Sequence, residues 1–134
     1  MKGKLWIWTV PVLGLSAPVS ELAAQRQFVA NDRTLLGVAT DLTASVALAD
    51  IDGDGDLDVV VANGRHWPQA NEVFINDGRG RFLERHQLGE SWATTYGVPT
   101  GDLDGDGDID IVVANDRVEN RVFLNDGGGR FEYG

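Results

Sequence analysis

The sequence contains no cysteine, which limits how the chain can be stabilised. Disulfide bridges, thiolate metal sites and cysteine nucleophiles are all excluded. A small exported fold without disulfides needs another source of stability, and bound metal is one of the usual substitutes.

Positive charge is scarce and does not cluster. The chain has 21 Asp and Glu against 11 Lys and Arg, for a formal net charge of −10. Ten of the 21 acids lie in two short segments, 50–58 and 102–110, and the other 11 acids balance the 11 basic residues. Because no basic stripe is present, we expect no nucleic-acid partner.

Long hydrophobic runs are also missing, since a membrane-spanning helix needs roughly 20 apolar residues. The apolar run at 5–15 follows a short basic start and precedes small residues at 20–24. This layout predicts a signal peptide at 1–24, with cleavage after Ala24. We therefore expect a secreted, periplasmic or cell-surface protein with no stable membrane span after cleavage. An uncleaved anchor or a wrongly assigned start is the alternative.

Recognisable catalytic sets are absent as well. The sequence shows no Ser-His-Asp grouping, no phosphate-cradling Gly loop and no His-rich metal site. We therefore expect the chain not to be an enzyme.

The main feature present is one unit that occurs twice. Residues 50–63 match 102–115, and residues 73–82 match 122–131. The offset falls from 52 to 49 between these blocks, so the first copy has three extra residues within 64–70.

The local pattern of both copies favours β-strands. β-Branched runs at 59–62 and 111–114 predict buried strands. Alternating polar and apolar residues at 72–75 and 121–124 predict half-buried strands, each followed by a Gly-rich turn. A further strand is expected at 46–49, and residues 81–83 and 130–131 are expected to open the next strand of each copy. No stretch after the expected signal peptide has a helical period.

A repeat of about 50 residues with four short strands predicts one β-propeller blade. The expected fold is all-β, with about two four-stranded antiparallel blades over residues 25–134. Unit 1 covers about 28–81, unit 2 about 82–130, and unit 3 starts at 131–134. Propellers close with roughly four to eight blades, so the ring is incomplete. We expect a fragment of a longer protein; self-association of several copies is the alternative.

Each Asp-rich loop predicts a calcium site. Carboxylates fall at loop positions 1, 3, 5 and 9, a glycine at position 6 permits a sharp turn, and the carbonyl at position 7 adds an oxygen. An all-oxygen cage suits calcium better than magnesium, zinc or copper. The predicted metal residues of the two sites are Asp50, Asp52, Asp54, Asp56, Asp58, Asp102, Asp104, Asp106, Asp108 and Asp110.

Two other interpretations of the loops fit less well. An EF-hand needs a glutamate at position 12, where Val61 and Val113 stand. Solvated acidic turns without metal are disfavoured, because so many close carboxylates repel one another.

With these motifs, the chain resembles the FG-GAP repeats of the integrin α-chain propeller, and more closely their bacterial VCBS-type version. The shared pattern is Asp-x-Asp-Gly-Asp-Gly-Asp-x-Asp, then Val-Val-Ala-Asn, then Phe-Leu-Asn-Asp-Gly-x-Gly-x-Phe, over about residues 28–134. The resemblance implies a seven-bladed propeller in which calcium stiffens each blade and partners bind elsewhere. The integrin form's Gly-Ala-Pro is replaced at 62–64 and 114–116, which argues against integrin-like ligand binding.

The expected function is therefore a non-enzymatic adhesion or recognition scaffold with an unidentified protein or glycan ligand. A lectin-like carbohydrate-binding module, or the accessory propeller of a longer enzyme, is the alternative. Trp92 and Tyr96 could stack on a sugar, although packing in the core or between blades is favoured. His66 and Trp67 lie in the insertion and are expected to be ordinary loop residues.

Overall fold

A computed structural model describes residue 36 and residues 40–134. In this part of the chain every regular element is a β-strand, which confirms the all-β prediction. Within the same residues, the search for a helix long and apolar enough to cross a bilayer finds none. The predicted signal peptide at 1–24 lies outside the described residues.

The strands form an antiparallel meander. They are β1 (Ser45–Ala49), β2 (Asp58–Ala62), β3 (Gln69–Ile75), β4 (Glu84–Gly97), β5 (Thr100–Gly101), β6 (Asp110–Asp116), β7 (Arg121–Asn125) and β8 (Phe131–Tyr133). Hydrogen-bonded neighbours follow the order β1-β2-β3-β4-β6-β7-β8, and β5 pairs with β6. Most predicted strands are therefore confirmed within one to three residues.

The strand predicted to open at 81–83 is present but begins three residues later, at Glu84. Arg81 closes the preceding turn instead: its carbonyl accepts a hydrogen bond from the Asp77 N–H at 3.1 Å. Its guanidinium also pairs with the Asp77 carboxylate. Since Arg81 is used twice to close the turn, the strand starts only after it.

The long strand β4 takes part in two sheets. Its first half pairs with β3 from Glu84 to Leu88, and its second half pairs with β6 from Thr94 to Gly97. Gly89, with φ +74°, lies where the pairing with β3 is interrupted. The chain thus forms two four-stranded antiparallel sheets, which are propeller-type blades that do not close into a ring.

The first blade consists of β1, β2, β3 and the first half of β4. The second consists of the second half of β4 with β5, then β6, β7 and β8. Strand β8, where the third sequence unit is predicted to start, pairs with β7 as the last strand of the second sheet. Sequence repeat and structural blade are therefore offset by one strand.

The main core lies between the two blades. Val60 and Ala62 of β2 face the second blade, whose Ile111 and Val113 face back. Each apolar side chain buried in this way contributes roughly 1.5–3 kcal/mol. The main cluster comprises Ala49, Ile51, Val60, Ala62, Val73, Leu88, Val98, Ile111, Val113 and Phe123. A smaller cluster of Val59, Val61 and Phe74, with Phe82 against it, is separate from the main core.

A buried polar chain also joins the blades. The Thr95 hydroxyl, fully buried, accepts a hydrogen bond from Asn71 Nδ2 at 2.9 Å and donates one to Asn115 Oδ1 at 2.8 Å. Asn71 Oδ1 in turn accepts the Asn63 N–H at 2.9 Å. Satisfied buried networks of this kind fix one relative arrangement of the elements they join.

Candidate metal centres

The first Asp loop connects β1 to β2, and the pairing of Ala49 with Asp58 holds its two ends together. Carboxylate oxygens of Asp50, Asp52 and Asp58 lie within 4.8 Å of one another. Asp58 is buried, and the other two are half-buried. The first loop thus gathers three carboxylates at one place.

The second loop connects β5 to β6 and is closed by the pairing of Gly101 with Asp110. Here the oxygens of Asp102, Asp104 and Asp106 lie within 4.8 Å of one another, and all three residues are exposed. Both loops therefore gather three carboxylates, although the third member differs between them.

Each loop curls around its own carboxylates. The Gly55 N–H donates to Asp50 Oδ2 at 3.0 Å, and the Asp56 N–H donates to Asp54 Oδ1 at 2.9 Å. Gly55 has φ +93°, a conformation that a residue with a side chain adopts only at a cost. The second loop repeats this pattern 52 residues later, with Gly107 at φ +101°.

The last acid of each loop links the loop to the turn after the third strand of its blade by hydrogen bonds. Asp58 Oδ2 accepts the Ile51 N–H, and Asp58 Oδ1 accepts the Asn76 N–H, both at 2.8 Å. Asp110 accepts the Leu103 and Asn125 N–H groups in the same way, at 2.7 and 2.9 Å. Each carboxylate oxygen has a second lone pair, so these bonds do not prevent a role as metal ligand.

Two further predicted acids face the turn that follows the third strand of their blade. A Cβ added to Gly78 would lie 2.5 Å from Asp56 Oδ2, and one added to Gly127 would lie 2.6 Å from Asp108 Oδ2. A side chain at either glycine would therefore push the facing carboxylate aside. Of the ten predicted metal residues, six form the two close groups; Asp54, Asp56, Asp108 and Asp110 lie outside them.

The local electrostatics show excess negative charge. Burial raises the pKa of Asp52, and the carboxylates of Asp58, Asp54 and Asp50 raise it further, against the opposing effect of the Asp54 N–H. The pKa of Asp108 is raised by burial and by neighbouring acids in the same way. A cation between these groups would relieve the repulsion.

One oxygen of the first group has no hydrogen-bond partner. Asp50 Oδ1 is buried, and among the described residues it is the one buried side-chain polar atom left unpaired. Leaving such an atom unsatisfied costs roughly 1–3 kcal/mol. A hard cation that prefers oxygen ligands would satisfy it, so the residues fit calcium.

Asn76, in the turn after β3, makes a contact with the first Asp loop that the sequence does not predict. Asn76 closes the Gly-rich turn that follows β3, because its Oδ1 accepts the Gly78 and Gly80 N–H groups at 3.2 and 3.0 Å. Its Nδ2 also donates to the Leu57 carbonyl of the Asp loop at 3.1 Å. No local signal marks this second contact, since the two residues are 19 positions apart.

Trp92 and Tyr96 do not pack in the core of the two described blades. Their side chains are 67% and 51% exposed. Trp92 instead lines a surface groove together with His66 and Trp67, and Trp67 is 72% exposed. Trp92 lies between Leu88 and Ala93, where the pairing of β4 with β3 is irregular.

A family model described as an FG-GAP-like repeat matches residues 50–113 and again residues 102–134. The two matches together include both Asp loops and more than half of the chain. Neither a curated protein nor a solved structure shows a significant match to the chain.

Proposed function

The chain belongs to the FG-GAP-like repeat family, and from that premise we propose that it is a calcium-binding repeat segment with one ion in each Asp loop. The observation that supports this most strongly is the buried, unpaired Asp50 Oδ1 within a group of three carboxylates. A second loop with the same spacing gathers its own three carboxylates.

The residues that would hold the ions are the members of the two close groups. Asp50, Asp52 and Asp58 serve the first loop, and Asp102, Asp104 and Asp106 serve the second. Bound calcium would supply the positive charge that offsets carboxylate repulsion in each loop. Because each loop joins adjacent strands and packs on the turn after the third strand, an ordered loop stiffens three of the four strands.

The role proposed for calcium is structural rather than catalytic. We place the chain outside the cytoplasm, as a non-enzymatic scaffold for adhesion or recognition, on the basis of its leader-like start and its family. The chain has no disulfide, so the metal takes over the stabilising part that cross-links play in many small exported domains.

Thermal unfolding in calcium, in magnesium and in chelator tests this proposal. At a calcium concentration of one hundred times Kd, each site adds about 2.7 kcal/mol of stability. For a domain of this size, that raises Tm by on the order of 10 °C per site. Magnesium should have a much smaller effect, because it keeps its water ligands.

The variant Asp52→Asn/Asp104→Asn should lose most of the calcium effect. Its control is Glu90→Gln/Glu132→Gln, which removes the same charge from exposed positions outside the loops and should keep the full effect. Equal shifts in both variants, or no calcium-specific shift in the unaltered chain, would rule out the proposed sites.

A carbohydrate-binding role is the second candidate, and the groove with the exposed tryptophans favours it. The groove encloses about 280 Å³, and Asp116 and Arg117 line it beside Trp67 and Trp92. Exposed indole rings offer flat apolar faces, and the ionic side chains offer hydrogen-bond partners for sugar hydroxyls.

Binding of the full chain to a panel of immobilised glycans tests this second role. Trp67→Ala and Trp92→Ala should each abolish binding, and Trp67→Phe should retain part of it because the ring remains. Glycan binding that survives both alanine variants would place the ligand elsewhere.

A further inference from the structure

Asn125 contacts both Asp loops at once. Its Nδ2 donates to the Ile51 carbonyl of the first loop at 2.7 Å and to the Ile109 carbonyl of the second loop at 3.1 Å. Its Oδ1 accepts the Gly129 N–H at 3.2 Å, and its own N–H donates to Asp110 Oδ1 at 2.9 Å. The residue is 5% exposed, so none of these groups can exchange freely with water.

The residues next to this bridge also hold the two carboxylate groups in position. Ile51 stands between Asp50 and Asp52, is almost completely buried, and donates its N–H to Asp58. On the other side, Asp110 holds the start of the second loop through the Leu103 N–H. A continuous series of buried and partly buried hydrogen bonds thus runs from the first group, through Asn125, to the second loop.

Packing reinforces this bridge. Gly129 lies in the turn that Asn125 begins. A Cβ added to Gly129 would lie 3.8 Å from Ile51 Cγ2 and 3.9 Å from Asp52 Cβ. The Gly127 carbonyl oxygen would lie 3.3 Å from a Cβ added to Gly53. The turn of the second blade is therefore seated directly on the first loop.

The equivalent residue of the first blade, Asn76, lacks the bridge. It donates to Leu57 of its own loop, as Asn125 donates to Ile109. Within the described residues, however, its Nδ2 reaches no second loop. Asn76 is consequently a matched reference: it supports one loop, whereas Asn125 supports two.

We propose that Asn125 is the positioning residue that couples the two calcium loops, so that an ion in the second loop strengthens binding in the first. This inference rests on the calcium proposal above. An ion that orders the second loop also fixes Ile109, Asp110 and hence Asn125. The Ile51 carbonyl is then held in place before the first loop binds its ion. The first loop therefore loses less conformational entropy when the ion binds. The coupling is reciprocal, because both effects express one interaction free energy.

Calorimetric calcium titration of the full chain measures this coupling. Asp104→Asn/Asp106→Asn removes the second site, and we expect the calcium affinity of the first loop to fall by about fivefold or more. The charge-matched control Glu90→Gln/Glu132→Gln should leave that affinity within about twofold of the original, as expected for distant charges that solvent screens.

The role of Asn125 follows from repeating the comparison in Asn125→Ala. There, loss of the second site should change first-loop affinity by less than about twofold, because coupling needs a shared partner. In Asn76→Ala, first-loop affinity should be lower from the start, while the fivefold dependence on the second site remains. If Asn125→Ala does not fold, Asn125→Leu gives the same comparison, since it keeps a similar side-chain volume, adds no charge and loses both donated bonds.

The outcomes separate this inference from the calcium proposal. Absence of calcium binding by either loop would overturn the calcium proposal itself. Two bound ions, with first-loop affinity independent of the second site, would overturn the coupling and leave the calcium proposal standing. Coupling that persists in the Asn125 variants would assign it to another contact.

Discussion

At the residue scale, the acids of each loop have two different roles. Asp58 and Asp110 bind main-chain N–H groups of both the loop and the following turn, so they hold the loop in shape. Asp50 and Asp52 each keep one oxygen that accepts no main-chain N–H, whereas both oxygens of Asp102 accept one. Sequence spacing placed ten acids in two loops and predicted that they converge; the structure brings three of the five together in each loop. The spacing could not assign the bracing role of Asp58 and Asp110, which depends on N–H groups up to 18 positions away.

The fit between the turn glycine and the loop leads to a test at Gly78. This glycine and Gly80 both have positive φ, +74° and +71°, so an alanine at either costs roughly 1–2 kcal/mol in backbone strain. Only at Gly78 would the new Cβ displace the Asp56 carboxylate; around Gly80 there is open space. We expect Gly78→Ala and Gly80→Ala to lower Tm similarly, but only Gly78→Ala to weaken calcium binding, by roughly fivefold or about 1 kcal/mol. Equal calcium affinity in the two variants, measured by calorimetry, would contradict this packing.

The shifted carboxyl groups give a pH dependence of stability. The pKa of Asp52 and that of Asp108 are raised, chiefly by burial. Such a group binds its proton more tightly in the folded state. The metal-free chain therefore gains stability as the pH falls from neutral through the raised pKa values, and the gain is complete below the ordinary value of 3.8. Burial raises the pKa of Glu72 as well, and it acts in the same direction.

Calcium should reverse part of this dependence, since protons and calcium compete for the same oxygens. We expect the Tm difference between calcium and chelator to narrow as the pH is lowered from 7 to about 4. Circular dichroism during heating measures both curves. The pKa of Asp77, which Arg81 lowers, has the opposite effect, but only below that range. A difference in Tm that stays constant or widens would mean that Asp52, the shifted carboxyl group of the first site, does not bind the ion.

At the element scale, β4 shows where sequence patterns stop being informative. Short β-branched and alternating runs predicted β2, β3, β6 and β7, because periodicity reports directly which residues face a core. The segment 84–97 has no such regular alternation, since its two halves belong to different blades. No single period describes a strand that changes its partners midway, so neither its length nor the exposure of Trp92 was predicted.

The change of partners in β4 depends on Gly89. A Cβ at this position would lie 2.8 Å from Phe123 Cζ and 3.0 Å from the Tyr133 hydroxyl, and φ is +74°. Phe123 is buried in the main core and cannot move without cost. Strain and overpacking together should make Gly89→Ala destabilising by roughly 2–4 kcal/mol. Urea unfolding measures this loss.

The matched control for Gly89 is Gly101→Ala in β5. Gly101 has no positive φ, and an added Cβ there meets nothing within 4 Å. Its unfolding free energy should change by less than about 0.5 kcal/mol. If both variants unfold at the same urea concentration as the unaltered chain, the close contact of β4 with Phe123 is not present in solution.

At the scale of the whole molecule, the two blades account for the repeat. By the sequence offsets, Val59, Val61 and Phe74 correspond to Ile111, Val113 and Phe123. The latter three pack against the first blade, whereas the former three form a separate cluster. The repeat thus predicts that another blade packs against Val59, Val61 and Phe74. Two copies of the unit do not determine how many blades close the ring.

An unclosed pair of blades should associate. Val46 and Leu48 of β1 are 52% and 60% exposed on an edge strand whose only partner among the described residues is β2. Exposed apolar edges of this kind favour pairing with another chain. We expect sedimentation velocity to show concentration-dependent self-association, and Val46→Lys/Leu48→Lys to reduce it without lowering Tm. A monomer at every concentration would contradict this expectation.

Calcium titration of the full chain by calorimetry, with circular dichroism to show that the chain is folded, tests the central claim most directly. The two Asp loops should bind two ions per chain with Kd values of about 10⁻⁴ to 10⁻³ M, typical of extracellular modules. Asp52→Asn and Asp104→Asn should each remove one of the two ions. A folded chain that binds no calcium would show that the two Asp loops are turns stabilised by their own hydrogen bonds, and the central claim would be wrong.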